Sequence, residues 1–180
     1  MVSAITTPIF TGNLVANLEA YNAGKDIPNI IAGNFTFIFG LAICYLAILF
    51  HMNFVCKNKR LRSLGRLAIP SSLFNINEPI IFGLPLVMNP MYIVPFILSP
   101  VVCNTIGWFC VCVIKIIPPV AYSVAWTTPG FLIPFLGSGA NNIMALVIGF
   151  VCVGVSTLIY LPFVIASTKA ALKAEGAENA

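Results

Sequence analysis

The chain has 180 residues, 59% hydrophobic and 8% charged, with a formal net charge of +4 and a mean hydropathy of +1.00. Soluble domains carry about 25% charged residues because their surface faces water, so a water-soluble globule is excluded and the remaining surface must contact lipid or other protein. The positive excess does not indicate nucleic acid: Lys57, Lys59, Arg60, Arg62 and Arg66 crowd into one short stretch without the interleaved aromatics of a base-stacking surface.

Met1 to Phe10 contains no basic residue and no apolar core ending in a small-residue cleavage site, so it does not read as a signal peptide. Leu14 to Tyr21 predicts a short helix ended by Asn22 to Gly24. Glu19, Lys25 and Asp26 bring this piece to a polar boundary. Ile30 to Cys56 is uncharged and free of proline. Since about 20 apolar residues cross a ~30 Å hydrocarbon core, it predicts an uninterrupted transmembrane helix. The basic cluster that follows reads as a loop and puts the end of this helix on the cytoplasmic side. His51, near that end, is expected to be a solvated interfacial side chain.

Leu67 to Asn89 is apolar but interrupted by Pro70, Pro79, Gly83 and Pro85, with Ser71, Ser72, Asn75, Asn77 and Glu78 inside it. Proline removes a backbone donor and breaks the helical ladder. Irregular backbone at membrane depth survives only against protein or a water-filled cavity, so this segment predicts a broken or re-entrant hairpin beside a site. Met91 to Ile114 predicts a crossing helix bent at Pro95, Pro100 and Gly107. Pro118 to Gly139 is again proline-broken and carries Trp126, Thr127 and Thr128. Asn142 to Ala166 predicts a second clean helix, with Lys169 and Lys173 placing its end, and the C-terminus, in the cytoplasm. The small, acidic tail from Ala174 is expected to be disordered.

The expected fold is therefore an all-α integral membrane protein, with transmembrane helices alternating with proline-broken or re-entrant hairpin segments. Three or five full crossings give the same sidedness. Residues 1–168 form the membrane part and residues 169–180 a cytoplasmic tail. The alternation of intact and broken segments is a transporter pattern.

Cys44, Cys56, Cys103, Cys110, Cys112 and Cys152 fall mostly within apolar stretches, without a CxxC pair and with one histidine in the chain. They read as small apolar packing residues and not as metal ligands. No serine–histidine or metal constellation points to hydrolysis, and no catalytic residue, metal or cofactor is expected.

Glu78 is the only acidic residue between Ile27 and Ala174. A carboxylate at the bilayer centre costs about 2.5–3.5 kcal/mol, and no lysine or arginine in its own segment offsets it. One reading is a ligand-binding or proton-coupled carboxylate; the other is a loop-end carboxylate bonded to backbone amides. A sugar suits the first, because hydroxyls donate charge-assisted hydrogen bonds to a carboxylate. Asn75 and Asn77 offer both donors and acceptors. Trp126 can stack on the apolar face of a pyranose ring, or else serve as an interfacial belt residue.

The run Phe74-Asn75-Ile76-Asn77-Glu78-Pro79-Ile80-Ile81-Phe82-Gly83-Leu84-Pro85, followed by Asn89-Pro90, resembles the signature of the IIC permeases of the lactose, cellobiose and diacetylchitobiose phosphotransferase family. Ala125-Trp126-Thr127-Thr128-Pro129 and the opening Pro8-Ile9-Phe10-Thr11-Gly12-Asn13 with Ala16-Asn17 match as well, so the resemblance spans about Pro8 to Pro162. It implies a bacterial cytoplasmic-membrane component that binds and translocates a β-linked disaccharide. Cytoplasmic IIA and IIB phosphocarrier subunits are the implied partners, with phosphoryl transfer on IIB and none on this chain. It further implies that Glu78 bonds the hydroxyl to be phosphorylated, with Asn77 and Trp126 lining the same pocket.

Family members are more than twice this length, and the match is to their C-terminal part. A truncated product or one piece of a split permease is therefore expected, lacking the dimerising N-terminal helices and a pocket histidine. Two other readings stand beside this one: an inactive membrane remnant, and a proton-coupled carrier with Glu78 as its proton site.

Overall fold

The computed structural model describes residues 2–33, 35, 39–40, 42–56, 58–84 and 89–178. Helices account for all its regular structure among these residues. They are α1 (Val2–Asn22), α2 (Ala42–Phe50) continued by a π-helical turn (His51–Val55), α3 (Lys59–Leu73), α4 (Glu78–Gly83), α5 (Pro90–Cys112), α6 (Ile133–Gly137) and α7 (Ile143–Glu178).

Two of these helices, over Pro90–Cys112 and Ile143–Lys169, are long and apolar enough to cross a membrane. They coincide with the crossing helix expected over Met91–Ile114 and the clean helix expected over Asn142–Ala166. The α5 and α7 helices are joined by small polar groups, as is usual where lipid supplies no hydrophobic drive for helix association. Ser99 bonds Ser156, Cys44 of α2 donates to Ser99 at 3.1 Å, and the Tyr92 hydroxyl donates to Ser167 at 3.0 Å. Cys103 lies 3.5 Å from the Cys152 carbonyl. Cys44, Cys56, Cys103, Cys110 and Cys152 are buried, consistent with a packing role. At Gly107 a Cβ would fall 2.5 Å from the Phe39 ring, so only glycine lets this part of the chain lie against α5.

The segment expected to be one plain helix over Ile30–Cys56 is not. Residues 30–33 are irregular, with Gly33 at φ 53° and its N–H bonded to the Phe10 carbonyl at 2.8 Å. Asn34, Thr36, Phe37, Ile38 and Leu41 of that prediction lie outside the described residues. Among the described residues the continuous apolar helix is Ile43–Val55, and Phe35, Phe39 and Gly40 before it are also helical.

The basic stretch is likewise helix and not loop. Asn58 caps α3 by accepting the Leu61 N–H at 3.0 Å, and Lys and Arg are good helix formers. Lys59, Arg60, Arg62 and Arg66 are exposed along α3; Lys57 lies outside the described residues.

His51 also departs from expectation, since it is fully buried with Nδ1 2.8 Å from the Ala47 carbonyl. The cause is α3, which folds back over the end of α2; a Cβ on Gly65 would meet Met52 at 2.8 Å. The tail expected to be disordered from Ala174 is helical through Glu178. The run Ala170-Ala171-Leu172-Lys173-Ala174-Glu175 has high helix propensity and carries the long apolar helix into the tail.

The core has two main parts. In one, Cys44, Ala47, Ile48 and Met52 of α2 and its turn pack with Ala68, Ile80, Tyr92 and Tyr160. This binds α3 and α4 to the α5–α7 pair. In the other, Phe35 and Phe39 pack with Cys110, Ile117, Val120, Ile133 and Ala145, closing the irregular 113–132 stretch over the far end of α5 and α7.

Candidate functional site

The predicted break is present, and its position is set by asparagine more than by proline. Pro70 lies inside α3, whose last turn closes normally with Phe74 N–H on the Ser71 carbonyl at 3.1 Å. The chain then turns at Asn75, which adopts φ 61°, a left-handed conformation that asparagine tolerates better than most residues. Three residues later α4 runs for six residues, with Glu78 as its first residue and Pro79 following. Gly83 lets α4 lie directly on α3: a Cβ there would meet Leu64 at 2.5 Å. Pro85, the end of the quoted run, lies outside the described residues.

Asparagines precede several helices in this chain, and most behave as caps. Asn58, Asn89 and Asn142 accept the Leu61, Met91 and Met144 N–H groups at 3.0, 3.0 and 2.9 Å, which satisfies helix-end donors. Asn77 precedes α4 and does not cap it. Its amide nitrogen instead donates to the Asn75 carbonyl and side-chain oxygen, both at 2.9 Å. Its own Oδ1 is buried and has no partner. An orphaned buried acceptor costs about 1–3 kcal/mol, so this side chain gives up a cap it was positioned to make and leaves an acceptor open.

Asn75 joins this turn to the second broken segment. Its side-chain amide donates to the Trp126 carbonyl at 2.7 Å, across 51 residues of sequence. The structure thus brings Asn75, Asn77 and the Trp126 backbone together, with Asn75 and Asn77 buried. Trp126 itself is 57% exposed. Beside it lies a cavity of about 410 Å³ whose wall includes Tyr122, Ala125, Thr128 and Gly139. None of the four predicted residues lines that cavity.

Glu78 adjoins this cluster through the peptide chain and is exposed on the surface of the chain. The desolvation cost that singled it out in the sequence is therefore not visible in this chain by itself. The alternative of a carboxylate locked onto backbone amides is not seen either: among the described residues the Glu78 carboxylate makes no hydrogen bond or ion pair. Its surroundings are apolar and open, with Phe74, Ile76 and Phe82 exposed at 54%, 39% and 79%.

Asn17 was not singled out for any role by residue-level reasoning, yet it anchors the second broken segment. It is fully buried, donates to the Asn29 and Val120 carbonyls at 2.8 and 2.7 Å, and accepts the Asn29 N–H at 3.0 Å. An asparagine inside a helix, a weak helix former, was the available signal.

The profile of the family described as "Phosphotransferase system, EIIC" matches residues 1–100. The oligo-beta-mannoside-specific EIIC component of Bacillus subtilis (strain 168) is 34% identical over 179 residues, covering 97% of this chain and 40% of that protein. The lichenan permease IIC component of the same organism is 34% identical over 178 residues, covering 97% of this chain and 39% of that protein. The crystal structure of the transporter ChbC, the IIC component of an N,N'-diacetylchitobiose-specific system, superposes with a TM-score of 0.90 at 33% identity. It covers 97% of this chain and 41% of ChbC. The chain thus spans about 40% of the length of the relatives it matches.

Proposed function

From the premise that this chain belongs to the phosphotransferase-system EIIC family, integral membrane proteins, we propose that it forms the sugar-binding part of a phosphoenolpyruvate-dependent permease for β-linked disaccharides. The relatives' names, oligo-beta-mannoside, lichenan and diacetylchitobiose, share that linkage class. The observation that carries the reading is the Asn75–Asn77–Trp126 cluster, with an open acceptor on Asn77 and the uncommitted Glu78 carboxylate beside it.

A disaccharide hydroxyl donates to the Glu78 carboxylate in a charge-assisted bond. A second hydroxyl donates to Asn77 Oδ1 when the turn shifts to uncover this buried atom, and supplies the partner it lacks. The exposed Trp126 ring offers a flat apolar face to a pyranose. This chain binds and presents the sugar. Phosphate reaches it at the cytoplasmic side from the IIB subunit, charged in turn by IIA, and the C-terminal end of α7 lies on that side.

Equilibrium dialysis of the chain in detergent micelles tests the reading, using radiolabelled cellobiose, lactose and diacetylchitobiose with the α-linked maltose as the contrast. At least one β-linked sugar is expected to be retained well above maltose. Equal retention of all four would overturn the assignment.

A further inference from the structure

Between α2, its π-helical turn and α3 lies a groove of about 480 Å³, and its two kinds of lining are of opposite character. Leu46, Phe50, Phe54 and Ile69 make it apolar, whereas Arg62 and Arg66 make it cationic. The Phe50 and Phe54 rings lie 4.9 Å apart and are 47% and 73% exposed. Arg62 and Arg66 are four residues apart on α3, so they share one face of the helix. The Arg62 Nε donates to the Asn53 carbonyl at 3.2 Å, which orients that guanidinium against the π-helical turn. Among the described residues the Arg66 side chain has no hydrogen bond and neither arginine has an ion pair. No acidic residue occurs in α3.

Two guanidinium groups on one face present paired N–H forks suited to phosphate oxygens. A free phosphate would meet that need but leave the exposed rings uncovered. A zwitterionic lipid would cover the rings but bring its own cation toward the arginines. We propose that this groove is a binding site for an anionic glycerophospholipid, with the phosphate held by Arg62 and Arg66 and an acyl chain laid along Phe54, Phe50 and Leu46. The π-helical turn contributes by placing the Asn53 carbonyl where it holds Arg62. This site is separate from the proposed sugar site and does not depend on it.

The test is lipid retention by the full chain, purified in detergent and measured by native mass spectrometry with equimolar dioleoyl-phosphatidylglycerol and dioleoyl-phosphatidylcholine. The phosphatidylglycerol adduct is expected to dominate, and excess inorganic phosphate to leave it in place. Arg62→Gln with Arg66→Gln is expected to reduce the adduct by about tenfold or more, because both charge-assisted contacts to the phosphate are lost. Lys59→Gln with Arg60→Gln removes the same charge from α3 without touching the groove lining, and is expected to retain the lipid. Equal retention of the two lipids by the unsubstituted chain would overturn the proposal without recourse to any variant. So would displacement by phosphate, or an equal loss from the two double variants, which would reduce the effect to diffuse charge.

Discussion

The paired helices α5 and α7 and the two broken segments, 74–78 and 113–132, satisfy their backbone groups in opposite ways. Within α5 and α7 the N–H groups bond carbonyls four residues back except at Pro95, Pro100 and Pro162 and in the first turns, and side chains are left to join the helices through Ser99, Ser156, Tyr92 and Ser167. In the broken segments the ladder stops, and asparagine amides take over. Asn75 reaches the Trp126 carbonyl, Asn17 the Val120 carbonyl and Asn142 the Ile116 carbonyl at 2.7 Å in each case. The lesson is that irregular backbone in an apolar chain is held by a few buried amides, so polar residues concentrate where the helices end. A sugar site needs the same polar residues, and the breaks supply them.

Single asparagines that hold the broken segments are therefore expected to matter more than polar residues between the regular helices. Asn17→Ala is expected to have the largest effect, about 3 kcal/mol, because it leaves two carbonyls and an amide without partners. Denaturation in micelles followed by circular dichroism measures it. Asn75→Ala is expected to cost about 2 kcal/mol, combining the lost Trp126 contact with left-handed strain. Asn75→Gly relieves the strain alone and is expected to recover about 1 kcal/mol in the same assay. Asn77→Ala is expected to cost only about 1 kcal/mol of stability yet weaken sugar binding about tenfold, a split that a purely structural residue would not show. Ser156→Ala, in the intact pair, is expected to cost least, about 0.6 kcal/mol. A ranking that put Ser156 first would break the comparison.

Much of this division was legible in the sequence, because apolar run length directly sets which helices can cross. The spans of α5 and α7 follow from it. Proline density located the broken regions, with ten of thirteen prolines between Pro70 and Pro134, but not the breaks themselves. Pro70, Pro95 and Pro100 lie inside helices, while the first break falls at Asn75, where a positive φ ends the helix. Hydropathy also missed the fold-back of α3. The buried His51 and the groove beside Arg62 depend on how α3 packs on α2, which residues distant in sequence decide. Of the candidate site, Asn75, Asn77 and the Trp126 backbone carbonyl lie together, while a sugar-binding role for these residues belongs to the proposal. What sequence could not supply was the open acceptor on Asn77, since a residue before a helix normally caps it.

The central claim is that the first break holds the sugar through Glu78 and Asn77. Isothermal titration of the chain and of Glu78→Gln, with the disaccharide it retains best, tests this most directly. Replacing the carboxylate by a neutral amide of nearly the same shape is expected to weaken binding at least tenfold, since hydrogen bonds to charged groups contribute about 1.5–3 kcal/mol. Identical affinity in the two proteins, with helical content unchanged, would contradict it.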